Sequence, residues 1–324
     1  MPPEPSTPTA ALTPLRSAGA LSPGMRVAVV APSGWMEAER LNRGCAVLQS
    51  WGFEVTTGRH ALDRHPSGFL SGSDADRAAD LQAAWCDPDV DAVICARGGY
   101  GAGRLIDLLD WTAMRTAVAD RPVKPFVGSS DVTALHQAFA HHLGISTYFG
   151  PMVAGPILGL PNPCPATIDA LRAALLKPAD PLVISGGQTL LAGARQPSSV
   201  SGVSTGGTLS MLCSLLGTPE AGRARGGILL LEDVAEAPYR IDRMLTQLLR
   251  SDWLTGVAGI ACGSWERCGP PAAVHEVLRE RLSGLGVPVL TGFRFGHGPE
   301  QATVPLGVPT VLDPGAGTLR FLGS

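Results

Sequence analysis

The run Phe126-Val127-Gly128-Ser129-Ser130-Asp131-Val132-Thr133 places two serines where an apolar stretch gives way to a helical one. A serine on a sharp strand-to-helix turn, with a glycine two positions earlier to give it room, has the layout of a nucleophile elbow. The Gly-x-Ser register selects Ser130 over Ser129. Free N–H groups at the start of the following helix could meet a developing oxyanion. Val132 stands where the second glycine of Gly-x-Ser-x-Gly would be. A serine that only caps a helix gives the same local pattern.

Three further runs could complete a site. Arg97-Gly98-Gly99-Tyr100-Gly101-Ala102-Gly103 follows an apolar strand pattern, and the backbone N–H groups of such a turn can approach a ligand closely. It is not a dinucleotide fingerprint, because each glycine start fails, at Arg104, Ile106 or Tyr100. An oxyanion or substrate loop and a plain tight turn both fit it. Leu229-Leu230-Leu231-Glu232-Asp233-Val234-Ala235-Glu236 delivers acids at a strand end, where binding crevices of α/β proteins lie, although surface acids ahead of a helix look the same. Phe295-Gly296-His297-Gly298 puts an imidazole on a loop with glycine freedom on both sides, and a turn histidine without a role would read alike. Taken together the order is Ser, Glu, His. A serine hydrolase needs those three chemistries: a nucleophile, a base, and an acid that holds the base's tautomer.

Other chemistry is poorly served. His136, His141 and His142 lie on the helix behind Ser130, and His136 is almost two turns on, too far to pair with it. No His-Glu-x-x-His or carboxylate cluster at metal spacing appears, so no metal is expected. Lys124 and Lys177 are the only lysines and both precede proline, which excludes a P-loop and leaves only these two for Schiff-base chemistry. The seven cysteines form no Cys-x-x-Cys, and several sit in apolar runs, which fits a reducing compartment. No cofactor is implied.

The elements that would hold these residues alternate. Strand patterns at 27–31, 53–57, 92–96, 125–128 and 145–149 are separated by helical patterns at 36–51, 73–85, 103–109 and 131–142, with Ser73 as an N-cap. This order predicts a doubly wound α/β domain. Residues 150–202 are proline-rich and less regular, with one helical pattern at 166–176. After them come helices at 208–216 and 239–250 and strands at 228–231, 257–262, 287–290, 304–311 and 318–322, a smaller, β-rich half. The expected division is a disordered leader at 1–23, the nucleophile domain at 24–165, an interdomain connection at 166–202, and a C-terminal domain at 203–324. Of 324 residues 45% are hydrophobic and 16% charged, ample for buried cores. A net charge of −3 argues against nucleic acid as a partner. No apolar stretch reaches the ~18 residues of a membrane span, and the leader lacks the basic start and apolar core of a secretory signal. A soluble, cytoplasmic protein is expected.

Five segments together resemble the LD-carboxypeptidases, or murein tetrapeptide carboxypeptidases, a serine peptidase family that includes the microcin C self-immunity peptidases. They are Val29–Gly34, Arg97–Gly101, Gly128–Thr133, Leu231–Arg243 and Gly296–Gly298, spread over most of the chain. The resemblance implies Ser130 as nucleophile, His297 as general base and Glu232 as the orienting acid. It also implies backbone N–H groups of Gly99 and Asp131 as the oxyanion hole. The implied fold is a glutamine-amidotransferase-like α/β domain with a smaller β-rich domain supplying Glu and His, usually as a homodimer. The implied reaction releases terminal D-alanine from a cytoplasmic muropeptide tetrapeptide in peptidoglycan recycling. Arg97, Arg104 and Arg240 are candidates for the substrate carboxylate by type. One departure is Thr208, after Gly206-Gly207, where relatives more often carry Asn.

The microcin-type branch cleaves a peptidyl nucleotide and stacks an interdomain aromatic on the base. Residues 155–204 here contain no Phe, Tyr or Trp, which favours the muropeptide branch, although Trp265 or Tyr239 could fill that role. A non-catalytic muropeptide or nucleotide binder and an acyltransferase using the same serine are the other readings. The retention of Ser130, Glu232 and His297 argues against the binder.

Overall fold

The computed structural model describes residues 10–323. Its first part alternates strand and helix: β1 (Arg26–Val30), α1 (Ala38–Ser50), β2 (Glu54–Thr57), α2 (Asp74–Cys86), β3 (Ala92–Cys95), α3 (Trp111–Ala117), β4 (Phe126–Gly128), α4 (Thr133–Leu143), β5 (Thr147–Phe149) and α5 (Pro165–Leu176). Strands β1, β3 and β4 are short, apolar and fully buried or nearly so, as strands with both faces covered must be. The five strands pair in parallel in the order β2-β1-β3-β4-β5. In such an order the chain reverses between β1 and β3, and the loops leaving those strands bound the crevice. Ser73 caps α2 by accepting the Asp76 N–H. The helical pattern at 103–109 corresponds to a 3-10 helix over Ala102–Leu108, and α3 follows it.

The second part contains β6 (Leu182–Ser185), β7 (Gln188–Leu191), β8 (Val200–Thr208), α6 (Leu209–Ser214), β9 (Gly227–Val234), α7 (Pro238–Arg250), β10 (Gly259–Glu266), α8 (Pro271–Leu282), β11 (Val289–Thr291), β12 (Val304–Leu306), β13 (Pro309–Asp313) and β14 (Thr318–Phe321). All of these strands except β12 form one eight-stranded sheet in the order β6-β14-β13-β8-β9-β10-β11-β7, parallel at β8-β9-β10-β11 and antiparallel outside. Helix α7 buries Ile241, Leu245 and Leu248 completely at i, i+4 and i+7, each contributing about 1.5–3 kcal/mol. The protein is thus two α/β domains with mixed sheets.

The structure corrects three sequence expectations. The pattern at 304–311 is not one strand. It breaks at Gly307, whose φ of +92° turns the chain, and β12 crosses to pair antiparallel with β5 in the first sheet. The stretch expected to be a connection after the 166–176 helix contains β6 and β7, which close opposite edges of the second sheet. Residues 10–23 are not a loose leader either; residues 1–9 of that expectation lie outside the described residues. Leu12 N–H donates to Arg225 O at 2.9 Å, Leu15 N–H to Gly307 O at 2.8 Å and Leu21 N–H to Leu175 O at 2.8 Å, so this segment is bonded to both domains. Ala18 and Leu21 are buried there.

Candidate active site

Ser130 sits at the turn between β4 and α4 with φ of 59°, a left-handed backbone that a residue with a Cβ adopts only at a cost of about 1–3 kcal/mol. The turn is tight because Val132 folds back over Gly128. A Cβ on Gly128 would lie 2.5 Å from Val132 Cγ1, so glycine is required there. The glycine loop after β3 packs directly on this serine: a Cβ on Gly98 would lie 2.9 Å from Ser130 Cβ. Gly98 O in turn accepts the Gly34 N–H of the loop after β1, at 3.0 Å. Three strand-end loops therefore meet at Ser130.

The Asp131 side chain ties two of those loops together. It is buried, and its Oδ2 accepts the Ala102 N–H at 2.7 Å. Gly101 O, one residue before, accepts from the buried Arg77 guanidinium at 3.0 Å. Gly99 and Asp131 N–H groups make no hydrogen bond to a protein acceptor among the described residues. At the end of β4, His136 bonds Gly128 O through Nε2 at 3.0 Å. Burial pushes its pKa down to about 4, so the ring is neutral and Nε2–H donates. His136 secures the strand end and has no free partner role.

The second domain holds the acid and the imidazole. Glu232 lies near the end of β9, fully buried, and His297 lies in the loop between β11 and β12. His297 Nδ1 and Glu232 Oε2 are 2.7 Å apart. Burial pulls the His297 pKa down, but the hydrogen bond and charge of Glu232 outweigh it, and the net shift is upward. With Nδ1 engaged, Nε2 is the nitrogen left to exchange protons. Neither of the nearby acids takes this place. Asp233 accepts the N–H groups of Ser210 and Val234, at 2.8 and 2.7 Å, and Glu236 pairs with Arg240 at 3.5 Å. Burial, together with the charge of Glu232, raises Asp233 to about 6.

Two residues that the sequence reading did not place in the site shape it. Ser264 of β10 accepts the N–H groups of both His297 and Gly298 on one hydroxyl oxygen, at 2.8 and 3.0 Å. It lies within the register irregularity of β10 between Cys262 and Trp265. Thr208, noted only as a departure, donates its hydroxyl to Glu232 Oε1 at 2.5 Å. His297 lines a cleft of about 420 Å³ together with Gly298, Glu266, Ile157, Leu160 and Cys164. A smaller apolar cavity of about 140 Å³, between α5 and β14, contains none of these residues.

The three candidate arginines are placed differently. Arg104 is paired with Asp74 at 2.6 Å and Arg240 with Glu236, whereas Arg97, among the described residues, donates only to the Trp35 carbonyl and lies in the loop packed on Ser130. Lys124 is buried, its Nζ bonded to Trp85 O and Asp87 O, a structural arrangement. One group of metal-capable side chains occurs among the described residues, His60, Asp63 and Asp76, which the sequence spacing did not reveal. It lies at the surface, and His60 Nδ1 is already held by Asp63 at 2.8 Å.

Comparison with known proteins agrees with this geometry. The LD-carboxypeptidase N-terminal domain model matches residues 27–150, and the LD-carboxypeptidase C-terminal domain model matches residues 201–312. A Streptomyces coelicolor protein bearing a carboxypeptidase name is 54% identical over 303 residues, covering 93% of this chain and 94% of its own. The murein tetrapeptide carboxypeptidase of Pseudomonas aeruginosa is 33% identical over 296 residues, covering 89% and 93%. Among solved structures, a muramoyltetrapeptide carboxypeptidase from Oxalobacter formigenes superposes with a TM-score of 0.80 at 30% identity, covering 93% of this chain and 99% of that one. The two matched domains and the buried Glu–His pair lead to one assignment: the chain belongs to the LD-carboxypeptidase family and is a serine-type hydrolase with a Ser, His and Glu triad.

Proposed function

We propose that the protein hydrolyses the amide between an L-centre and a terminal D-alanine, trimming muropeptide tetrapeptides to tripeptides. The observation that carries this is the fully buried Glu232 on His297 Nδ1, because it fixes the imidazole tautomer that a serine nucleophile requires. Ser130 Oγ attacks the scissile carbonyl carbon and passes its proton to His297 Nε2. The Gly99 and Asp131 N–H groups receive the oxyanion. The carbon–nitrogen bond then breaks as the imidazolium protonates the leaving D-alanine amine. Water, deprotonated by His297, cleaves the acyl-serine and restores it. Arg97 binds the terminal carboxylate. Its charge is met only by a backbone carbonyl, whereas Arg104 and Arg240 are paired with acids.

The same reading assigns a glutamine-amidotransferase-like topology to the first domain, which the order β2-β1-β3-β4-β5 supports. It takes the nucleophile from the first domain and the acid and imidazole from the second, and the working form as a cytoplasmic homodimer that needs no cofactor and binds no nucleic acid. The muropeptide branch is favoured over the peptidyl-nucleotide branch by the absence of Phe, Tyr and Trp from residues 155–204. Trp265 or Tyr239, the latter exposed, would have to replace them. The deciding experiment compares kcat/KM on a muropeptide tetrapeptide and on a peptidyl-adenylate analogue. Preference for the tetrapeptide is expected, and preference for the adenylate would overturn the branch.

A further inference from the structure

Glu232 has two carboxylate oxygens, and the protein uses both. Oε2 faces the His297 ring, and Oε1 accepts the Thr208 hydroxyl at 2.5 Å. Thr208 is the direct cross-strand neighbour of Glu232 in the parallel pairing of β8 with β9, so the backbone itself fixes this contact. Both residues are buried. The line of bonds does not stop there. The Thr208 N–H donates to Thr133 Oγ1 at 3.2 Å, and Thr133 is the first residue of α4, three positions after Ser130. Thr133 is also fully buried. A continuous series of hydrogen bonds therefore runs from the first turn of the nucleophile's helix, across the domain boundary, to the acid and the imidazole.

We propose that Thr208 is a positioning residue that fixes the plane of the Glu232 carboxylate and ties it, through Thr133, to the helix carrying Ser130. The proposal rests on the reading of Glu232 as the orienting acid. Its physical basis is simple. A carboxylate bonded through one oxygen can turn about its last torsion, and a buried oxygen without a donor carries the full desolvation cost. A bond on each oxygen removes both problems. The hydroxyl also draws charge from Oε1, which moderates the hold of the carboxylate on the imidazolium. The charged groups that face His297 are Glu232 and Asp233 from β9, Glu266 at the end of β10 and Arg267 in the turn after it.

The test compares Thr208→Val, which keeps the shape and removes the hydroxyl, with Thr208→Ser, which keeps the hydroxyl. D-Alanine release from a muropeptide tetrapeptide is followed across pH. Thr208→Val should lower kcat roughly tenfold to hundredfold with little change in KM. It should also move the acid limb of kcat/KM upward, because the carboxylate, freed of its donor, holds the imidazolium more tightly. Thr208→Ser should restore both the rate and the limb. A merely structural role would leave the limb unmoved. If Thr208→Val does not fold, Thr133→Val against Thr133→Ser interrogates the same line from the other side, with kcat lowered in the valine variant and restored in the serine variant. Equal activity and an unmoved limb in the valine variants would overturn the proposal, as would equal impairment of valine and serine. Turnover retained by Glu232→Gln would instead overturn the reading of Glu232 itself.

Discussion

The side chain of Asp131 gives the most direct handle on how the glycine loop is kept in register with Ser130. Its Oδ2 accepts the Ala102 N–H at 2.7 Å, and both residues are buried. A hydrogen bond to an ionised group contributes about 1.5–3 kcal/mol. Asp131→Ala removes the acceptor and leaves the Ala102 N–H buried without a partner. It also removes the anion that helps offset the buried Arg77 guanidinium. If the loss falls on the transition state, kcat/KM drops roughly 10- to 150-fold. Asp131→Asn keeps an acceptor oxygen and should recover at least half of that loss on a logarithmic scale. The assay is steady-state D-alanine release by both variants, with thermal unfolding in parallel. Alanine and asparagine variants that are equally active, or that lose only thermal stability, would refute the argument that this carboxylate sets the loop.

Three other outcomes follow from the same geometry. Ser264→Ala removes the acceptor shared by the His297 and Gly298 N–H groups, and kcat should fall roughly tenfold while Ser264→Thr retains more activity; unaltered kcat in the alanine variant would show that the loop holds itself. The acid limb of kcat/KM should lie above the ordinary histidine value of about 6.5, because Glu232 raises His297 and the base must be neutral to accept the serine proton; a limb below that value would contradict the pairing. His136 is depressed to about 4, so the unfolded chain binds its proton first. Stability should fall as pH drops from about 6.5 towards 4, and His136→Gln should flatten that part of a Tm-against-pH profile. An identical slope in the variant would remove His136 as the cause.

What the sequence disclosed and what it hid divide along contact distance. The turn at Gly128-Ser129-Ser130, the N-cap at Ser73 and the strands on either side of the glycine loop are local patterns, and they fold locally as they read. The partnership of Glu232 with His297 spans 65 residues of chain. Residue type and family resemblance pointed to it, and only the sheet brings the pair together. Thr208 carried no chemical signal of its own, because its hydroxyl matters only through the cross-strand register with Glu232. Ser264 was hidden for the same reason, since the N–H donors it accepts come from a loop beginning 33 residues on. The run at 304–311 read as one strand because its apolar periodicity is continuous; the glycine at 307 divides it between two sheets, an outcome that depends on a free edge at β5. Residues 10–23 lacked any pattern, and they are ordered by backbone bonds to strands and loops far along the chain.

In the proposed reaction a serine at the β4 elbow attacks an L,D-amide with help from Glu232 and His297. Mass spectrometry of a synthetic tetrapeptide ending in D-alanine, incubated with the wild-type protein and with Ser130→Ala, tests it most directly. Loss of one alanine residue from the D-terminated peptide is expected with the wild type, no loss from a control peptide ending in L-alanine, and turnover reduced by several orders of magnitude in Ser130→Ala with the fold intact. Undiminished cleavage by Ser130→Ala, with activity lost in Ser129→Ala instead, would contradict it.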